Sequence, residues 1–381
     1  MLVGLLDGPI HKIETLLVKL EGRFGLIGAS LIVSGILMLI ASVYCAPALT
    51  LINHGTDYSL LAANPFDLEA GNRFQNRILT PVIGFLFFLR GPAFIILPLL
   101  IASVFLATLY LHFRKLGVEA AIALGFCCFI AFSSPILFTL HFAGYVDTTS
   151  YLLLFLCYAF RKHPLWVFVC YALALLNHES NAFALPWIII MSGYRNGITT
   201  SGLMKSIAAA VLAFLPLLLV RYLFSESASH LQFGWYFNRG NIADSIWLQR
   251  TLLFDGIFQA FKLFWVLPIV ATLLALKKKQ YYTAIIITTI VASAGMQLFI
   301  AADTSRLIGL AFPAIIIGAV EIWRNSDHTQ FRRLCWGLIV INFLIHQAFV
   351  GYGIIIPFHS LPMAIFMKYY LGVDVWTTDW I

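Results

Sequence analysis

The residues of this chain able to do chemistry fall into short polar clusters: Asp57-Tyr58, Arg73 with Arg77, Tyr145 with Asp147, His178-Glu179, and Asp303 with Arg306. Carboxylates such as Asp57 and Asp147 can take a proton as general bases, or can bind a divalent cation. Arginines can hold a phosphate through bidentate hydrogen bonds. Arg73 and Arg77 would share one face of a helix. Both signs of charge together suit a phosphorylated donor and a hydroxyl acceptor meeting at a membrane surface. Each cluster also has a plainer reading. Asp57 could be a solvated loop acid or a helix cap. Arg73 and Arg77 could snorkel at an interface, Asp147 could cap the helix behind it, His178-Glu179 could be a cap or a buried pair, and Asp303 could pair with Arg306 one turn on. Arg221 and Lys262 are further phosphate candidates.

The elements that must position these groups are membrane helices. Of the 381 residues, 61% are hydrophobic and only 11% are charged, against about 25% charged in soluble domains. Apolar runs long enough to cross about 30 Å of hydrocarbon recur along the length. They are continuous rather than alternating, which excludes a β-barrel. The expected fold is an all-α polytopic membrane protein of about eleven spans, with Leu334 to Val350 as the last. Residues 1–24 read as an amphipathic cytoplasmic segment rather than a cleaved signal. Residues 47–91 form the first outer loop with interfacial helices. Residues 223–256 form a later outer loop, and 351–381 an outer tail, all within one domain spanning 1–381.

The net charge of +7 does not point to nucleic acid. Most basic residues lie in short clusters between apolar runs, such as Arg114-Lys115 and Lys277-Lys278-Lys279, as the positive-inside rule requires. That rule places the N-terminus inside and the polar clusters outside. The acids on the outer side do not follow from it. The six cysteines lack metal-ligand spacing and read as small core residues. No P-loop, dinucleotide fingerprint, Gly-x-Ser-x-Gly elbow or Cys-x-x-Cys pair occurs.

Thr56-Asp57-Tyr58-Ser59-Leu60-Leu61-Ala62, Arg77-Ile78-Leu79-Thr80-Pro81 and Gly144-Tyr145-Val146-Asp147 resemble motifs of the GT-C class of integral membrane glycosyltransferases. The resemblance covers residues 20 to 190. It implies transfer of a sugar from a polyprenyl-phosphate donor to a hydroxyl acceptor, either small or a lipid-linked glycan of the cell envelope. Asp57 would be the base, with Asp147 as a second acid. Arg77, with Arg306 or Arg73, would stabilise the leaving phosphate, and Tyr58, Tyr145, His178, Glu179 and Asp303 would complete the site. A divalent cation (Mg or Mn) could sit between Asp57 and Asp147 or Glu179, since some members use one and others do not. The expected location is a bacterial inner (plasma) membrane, with the site on the periplasmic face and membrane lipids as neighbours. The chain departs from the class in three ways. Asp57 has no acidic neighbour nearer than Asp67. No large soluble domain follows the last span. His178-Glu179 and Asp303-x-x-Arg306 are not general to the class. A polymerase or ligase of lipid-linked oligosaccharides, or a flippase of lipid-linked sugars, would share the same substrate chemistry.

Overall fold

The computed structural model describes residues 7–67, 72, 74–193, 200–224 and 239–375. Arg73 therefore lies outside the described residues. Helices dominate. Among the described residues six are long and apolar enough to cross a membrane: Asp7–Tyr44, Gly91–Lys115, Thr200–Leu223, Leu253–Lys277, Tyr281–Phe299 and Thr304–Asn325. A bent pair, Ala120–Ala131 with Ser134–His141, could add a seventh. The remaining apolar helices are shorter, including Asp147–Ala159, Pro164–Asn177 and His328–Leu344.

The first helix breaks at Gly25, whose φ of 69° lies in the left-handed region where only glycine is unstrained. Its amphipathic N-terminal arm is tied to other segments by charge. Glu21 binds Arg114, Asp7 binds Arg333, and Glu14 accepts from the backbone N–H groups of Ala120 and Ala121. The last contact satisfies donors at a helix start that the helix itself leaves open. Outward-facing leucines and isoleucines such as Ile27, Leu31 and Leu39 remain uncovered along the span itself, as a lipid-facing helix requires. The most enclosed helices include Ala120–Ala131 and Ser134–His141, and most of Thr304–Asn325 is buried as well.

Among the described residues the chain is mostly helical, as an all-α membrane protein requires, with one short hairpin added, and one expectation fails: the helix expected as the last span does not run to Val350. It stops at Leu344, and Ala348–Gly351 pairs antiparallel with Ile354–Pro357. The cause is the turn. Tyr352 and Gly353 have φ of 53° and 75°, the left-handed pair that a two-residue hairpin loop demands. The β-branched run Ile354-Ile355-Ile356 favours a strand. An apolar run alone could not separate this hairpin from the end of a span.

The hairpin is fixed to the start of the Thr304–Asn325 segment. The Val350 N–H donates to Ser305 Oγ at 2.9 Å, and the Tyr352 N–H donates to the Ala302 carbonyl at 2.9 Å. A Cβ on Gly351 would lie 3.0 Å from the Ala302 carbonyl and 3.1 Å from the Asp303 Cα, closer than an ordinary contact, so glycine favours this close approach.

Candidate functional site

The polar clusters converge at one end of the helix bundle because two loops meet through glycine. A Cβ on Gly55 would sit 2.2 Å from the Ala143 carbonyl, and one on Gly144 would sit 2.6 Å from Leu51. Gly144 also has φ +91°. The helix His54–Ala63, carrying Asp57 and Tyr58, is thereby pressed against the turn that carries Tyr145 and Asp147.

Arg77 is held on three sides. Its Nε and Nη2 donate to Glu179 at 2.9 and 2.7 Å, a bidentate pair, and its Nη1 donates to Tyr58 Oη at 2.7 Å. The Phe74 ring lies under the guanidinium at 4.5 Å and stacks on Tyr58. Burial works to raise the Glu179 carboxyl, but the charge and hydrogen bonds of Arg77 overcome it and hold Glu179 well below the usual carboxylate range. Neighbouring His178 is pushed down to about 3 by burial and then by the Arg77 charge. It stays neutral at ordinary pH, and its Nδ1 accepts the Ser180 N–H at 3.1 Å, capping the turn that follows. Tyr58 is raised, chiefly by burial, so it remains a neutral phenol.

Arg306 forms the second pair. Its Nε donates to Asp147 Oδ1 at 3.1 Å and its Nη1 to Asp303 Oδ2 at 2.6 Å. It rests over the rings of Tyr145 and Phe138 at 5.0 and 5.3 Å. Its Nη2 makes no hydrogen bond among the described residues. The other Asp147 oxygen is buried and unpartnered there.

Behind both pairs runs a buried polar chain. Thr80 donates to Asn177 Oδ1 at 2.5 Å, and Asn177 donates to the Val146 carbonyl and Ser150 Oγ at 2.9 Å. Asn181 donates to the same Ser150 at 2.8 Å. These bonds tie the Arg77, Asp147 and Glu179 segments into one unit. In a low-dielectric interior a network of this kind is favourable when its members are paired.

Two cavities open onto this cluster. The larger, about 540 Å³, is lined by Arg77, His178, Glu179, Asp303 and Arg306, and on its apolar side by Ala182, Phe183, Leu248, Ile300 and Leu307. The smaller, about 420 Å³, is lined by Asn53, Asp57, Phe138, Phe142, Tyr145 and Phe349. His54, Asp303 and Tyr352 line both. Asp57 is partly exposed at 29%, and its Oδ2 lies 3.8 Å from His54 Nδ1.

The sequence-derived residues therefore divide. Arg77, His178, Glu179, Asp303 and Arg306 face the first cavity, and Asp57, Tyr145 and Asp303 face the second. Asp147 and Tyr58 line neither and act on the site through the arginines that they bind. Of the carboxylates considered for a divalent cation, Glu179 is taken up by Arg77 and Asp147 by Arg306. Among the described residues no group of three or more His, Cys, Asp or Glu side chains is placed to hold a metal ion. Arg221, near the end of the Leu215–Leu223 helix, and Lys262 line neither cavity. Lys262 is satisfied by Tyr44 Oη and the carbonyls of Asn342 and Ile345. Sequence reading missed Tyr352, because it lay in a segment taken for a tail, and Gln297, an uncharged residue at the end of a span. The left-handed φ of Tyr352 and Gly353, which marks the turn, is visible only in the structure.

No family model, curated protein or solved structure matches the chain.

Proposed function

We propose that this protein is a membrane glycosyltransferase, moving a sugar from a polyprenyl-phosphate donor to a hydroxyl acceptor. The observation that carries the reading is the pair of cavities sharing one wall at His54, Asp303 and Tyr352, with buried arginines in one and Asp57 in the other. A transfer reaction needs two substrates whose reacting atoms meet, and the shared wall is where they would meet.

The larger cavity suits the donor. Its apolar side takes the first prenyl units and its arginines take the phosphate. Arg306 is the primary contact, since Nη2 is not committed to a carboxylate, and Arg77 is the second. Each arginine is matched by carboxylates, so the cavity offers fixed N–H donors rather than a field of excess positive charge. Donors held in place before the reaction stabilise charge as it develops, without reorganising.

In the reaction the acceptor hydroxyl gives its proton to the Asp57 carboxylate. Its oxygen forms a bond to the anomeric carbon of the donor. The bond from that carbon to the phosphate oxygen breaks, and its electron pair leaves with the polyprenyl phosphate, whose charge Arg306 and Arg77 receive. Asp147, Asp303 and Glu179 hold the arginines in position. Every step is accounted for by side chains of the chain itself.

Eleven crossings, with the site on the outer face of a bacterial inner membrane, complete the reading. What supports the sidedness is the pattern of long-range contacts. Segments assigned to the outer side bond one another, as Tyr58, Arg77 and Glu179 do. Segments assigned to the inner side do likewise, as Glu21 with Arg114 and Asp7 with Arg333.

The test is donor turnover by purified protein in nanodiscs, following release of polyprenyl phosphate from a polyprenyl-phosphate sugar. The parent should release it only with a hydroxyl acceptor present. Arg306→Lys, which loses the planar fork, should raise the donor KM at least about tenfold, roughly the loss of one charge-assisted hydrogen bond. Unchanged donor kinetics in Arg306→Lys would remove the phosphate role.

A further inference from the structure

Resting on the transferase reading, we infer that Asn53 and Tyr352 are substrate-contacting residues of the smaller cavity, and that the Asn53 amide orients the acceptor hydroxyl toward Asp57. The observation behind it is backbone strain at two places on one cavity wall, each where another residue would sit more easily.

Among the described residues, those other than glycine with a left-handed φ are Asn53, Phe88, Lys262, Lys279 and Tyr352. Phe88 and Lys279 directly follow the C-cap residues Phe87 and Lys278, where a helix commonly closes in that conformation. Lys262, at φ 49° and ψ −123°, is accounted for by its side chain, which donates to Tyr44 Oη and to the carbonyls of Asn342 and Ile345. Asn53 and Tyr352 remain. They lie on separate elements, yet both line the smaller cavity.

Asn53 precedes the helix His54–Ala63 with φ 46° and ψ −118°. It sits in a tight turn that the Gly55 N–H closes by donating to the Ile52 carbonyl at 2.8 Å. Those angles match the first central position of a type II′ turn, which is ordinarily glycine. Asparagine at a helix start usually serves as a cap, but this side chain makes no capping bond. It makes no other hydrogen bond among the described residues either. Tyr352 holds the first central place of the hairpin loop at φ 53°. Asparagine, aspartate or glycine is preferred there, and a bulky side chain is an outlier. Tyr352 lines both cavities and is 41% exposed. Strained backbone of this kind clusters where ligands are clamped.

Other groups on the wall are committed elsewhere. Asp303 is bound to Arg306, and Phe138, Phe142, Tyr145 and Phe349 are buried and packed on one another. They shape the cavity, whereas Asn53 is partly exposed with its amide uncommitted. A carboxamide carries both donors and an acceptor, so it can hold the acceptor hydroxyl by its oxygen while Asp57 takes the proton. Tyr352, on the wall shared with the larger cavity, makes its contact where the two substrates meet. Fixing the hydroxyl against the donor is the positional part of the rate enhancement.

The test pairs two substitutions that both remove the Asn53 amide and differ in strain. Asn53→Gly relieves the backbone and should melt at or above the parent, while Asn53→Ala keeps the strained φ and should melt below Asn53→Gly. Kinetics use the full chain in nanodiscs, a polyprenyl-phosphate sugar as donor, and glycerol or methyl α-D-mannoside as acceptor probe. Both variants should raise the acceptor KM at least about threefold, the loss of one neutral hydrogen bond, with the donor KM unchanged. Tyr352→Asn, which suits the loop better, should also raise the acceptor KM without lowering the melting midpoint. A parental acceptor KM in Asn53→Gly or in Tyr352→Asn, or a rise confined to Asn53→Ala, would overturn the inference. Hydrogen exchange on the parent needs no variant to fold. Either probe should slow exchange in peptides spanning residues 53–58 and 349–353, and no protection there would also overturn it. Protection that Asn53→Gly abolishes, in a protein that transfers no sugar, would keep the contacts and remove the transferase. Transfer with a parental acceptor KM in both Asn53 variants would do the reverse.

Discussion

At the scale of single residues, the arginine–carboxylate pairs decide what each acid can do. Asp147 and Glu179 look alike in sequence to Asp57, as acids beside an aromatic or a histidine near a helix end. The structure separates them, because the first two are bound to Arg306 and Arg77, and of the three Asp57 and Glu179 line a cavity while Asp147 lines neither. Nothing in one sequence shows which acid an arginine 100 positions away will choose, so the pairing was not legible while the candidates were. Removing one partner of a buried pair leaves the other charge uncompensated, at a cost of about 3–5 kcal/mol. Glu179→Gln should therefore lower stability by about that amount, read from the thermal or denaturant midpoint in detergent. Arg77→Met combined with Glu179→Leu should cost distinctly less, and equal losses would show that the pair is not coupled. Both His178 and Glu179 have folded-state pKa values below their unfolded ones, His178 at about 3. The unfolded state therefore binds more protons in acid. Their stabilisation is full above the ordinary histidine value of about 6.5 and is lost as pH falls, first through the histidine and then below the carboxyl value of about 4.5. A stability profile against pH should fall on the acid side, and Glu179→Gln should flatten its lowest part.

At the scale of elements, the site depends on close approaches that only glycine permits. The motif Gly144-Tyr145-Val146-Asp147 drew notice for its acid, but its glycine is what seats the turn against Gly55. Gly144→Ala would put a Cβ on a backbone at φ +91° and against Leu51, costing at least about 1–2 kcal/mol in strain. Transfer should fall by more than the loss of folded protein explains, because Tyr145 and Asp147 both shift. Activity per folded molecule equal to the parent would show that the turn does not position the site. The hairpin shows the limit of reading elements from hydropathy. Its residues are as apolar as those of a span, and only the turn dihedrals and the strand pairing reveal it. The short helices Asp147–Ala159 and Pro164–Asn177 were visible as short apolar runs, since their length is a property of the sequence itself.

At the scale of the whole molecule, composition gave the helical membrane class directly, because apolar length is what a bilayer selects. It did not fix the number of crossings. Helices of 13 and 14 residues fall below the length that spans about 30 Å alone, and neighbours must complete them. Sidedness is open to a direct check, since the native cysteines are all buried and give little labelling background. Thr56→Cys should react with a membrane-impermeant maleimide from outside intact cells and Lys278→Cys only after permeabilisation. Reaction of both from the same side would overturn the alternation. The account of the reaction turns on Asp57, which lines the smaller cavity and lies 3.8 Å from His54 on the wall the two cavities share. The decisive measurement is sugar transfer by purified Asp57→Asn against the parent, at saturating polyprenyl-phosphate sugar and acceptor. As the general base, Asp57 predicts a fall in kcat of at least about 10², with donor binding preserved; parental turnover in Asp57→Asn would contradict the account.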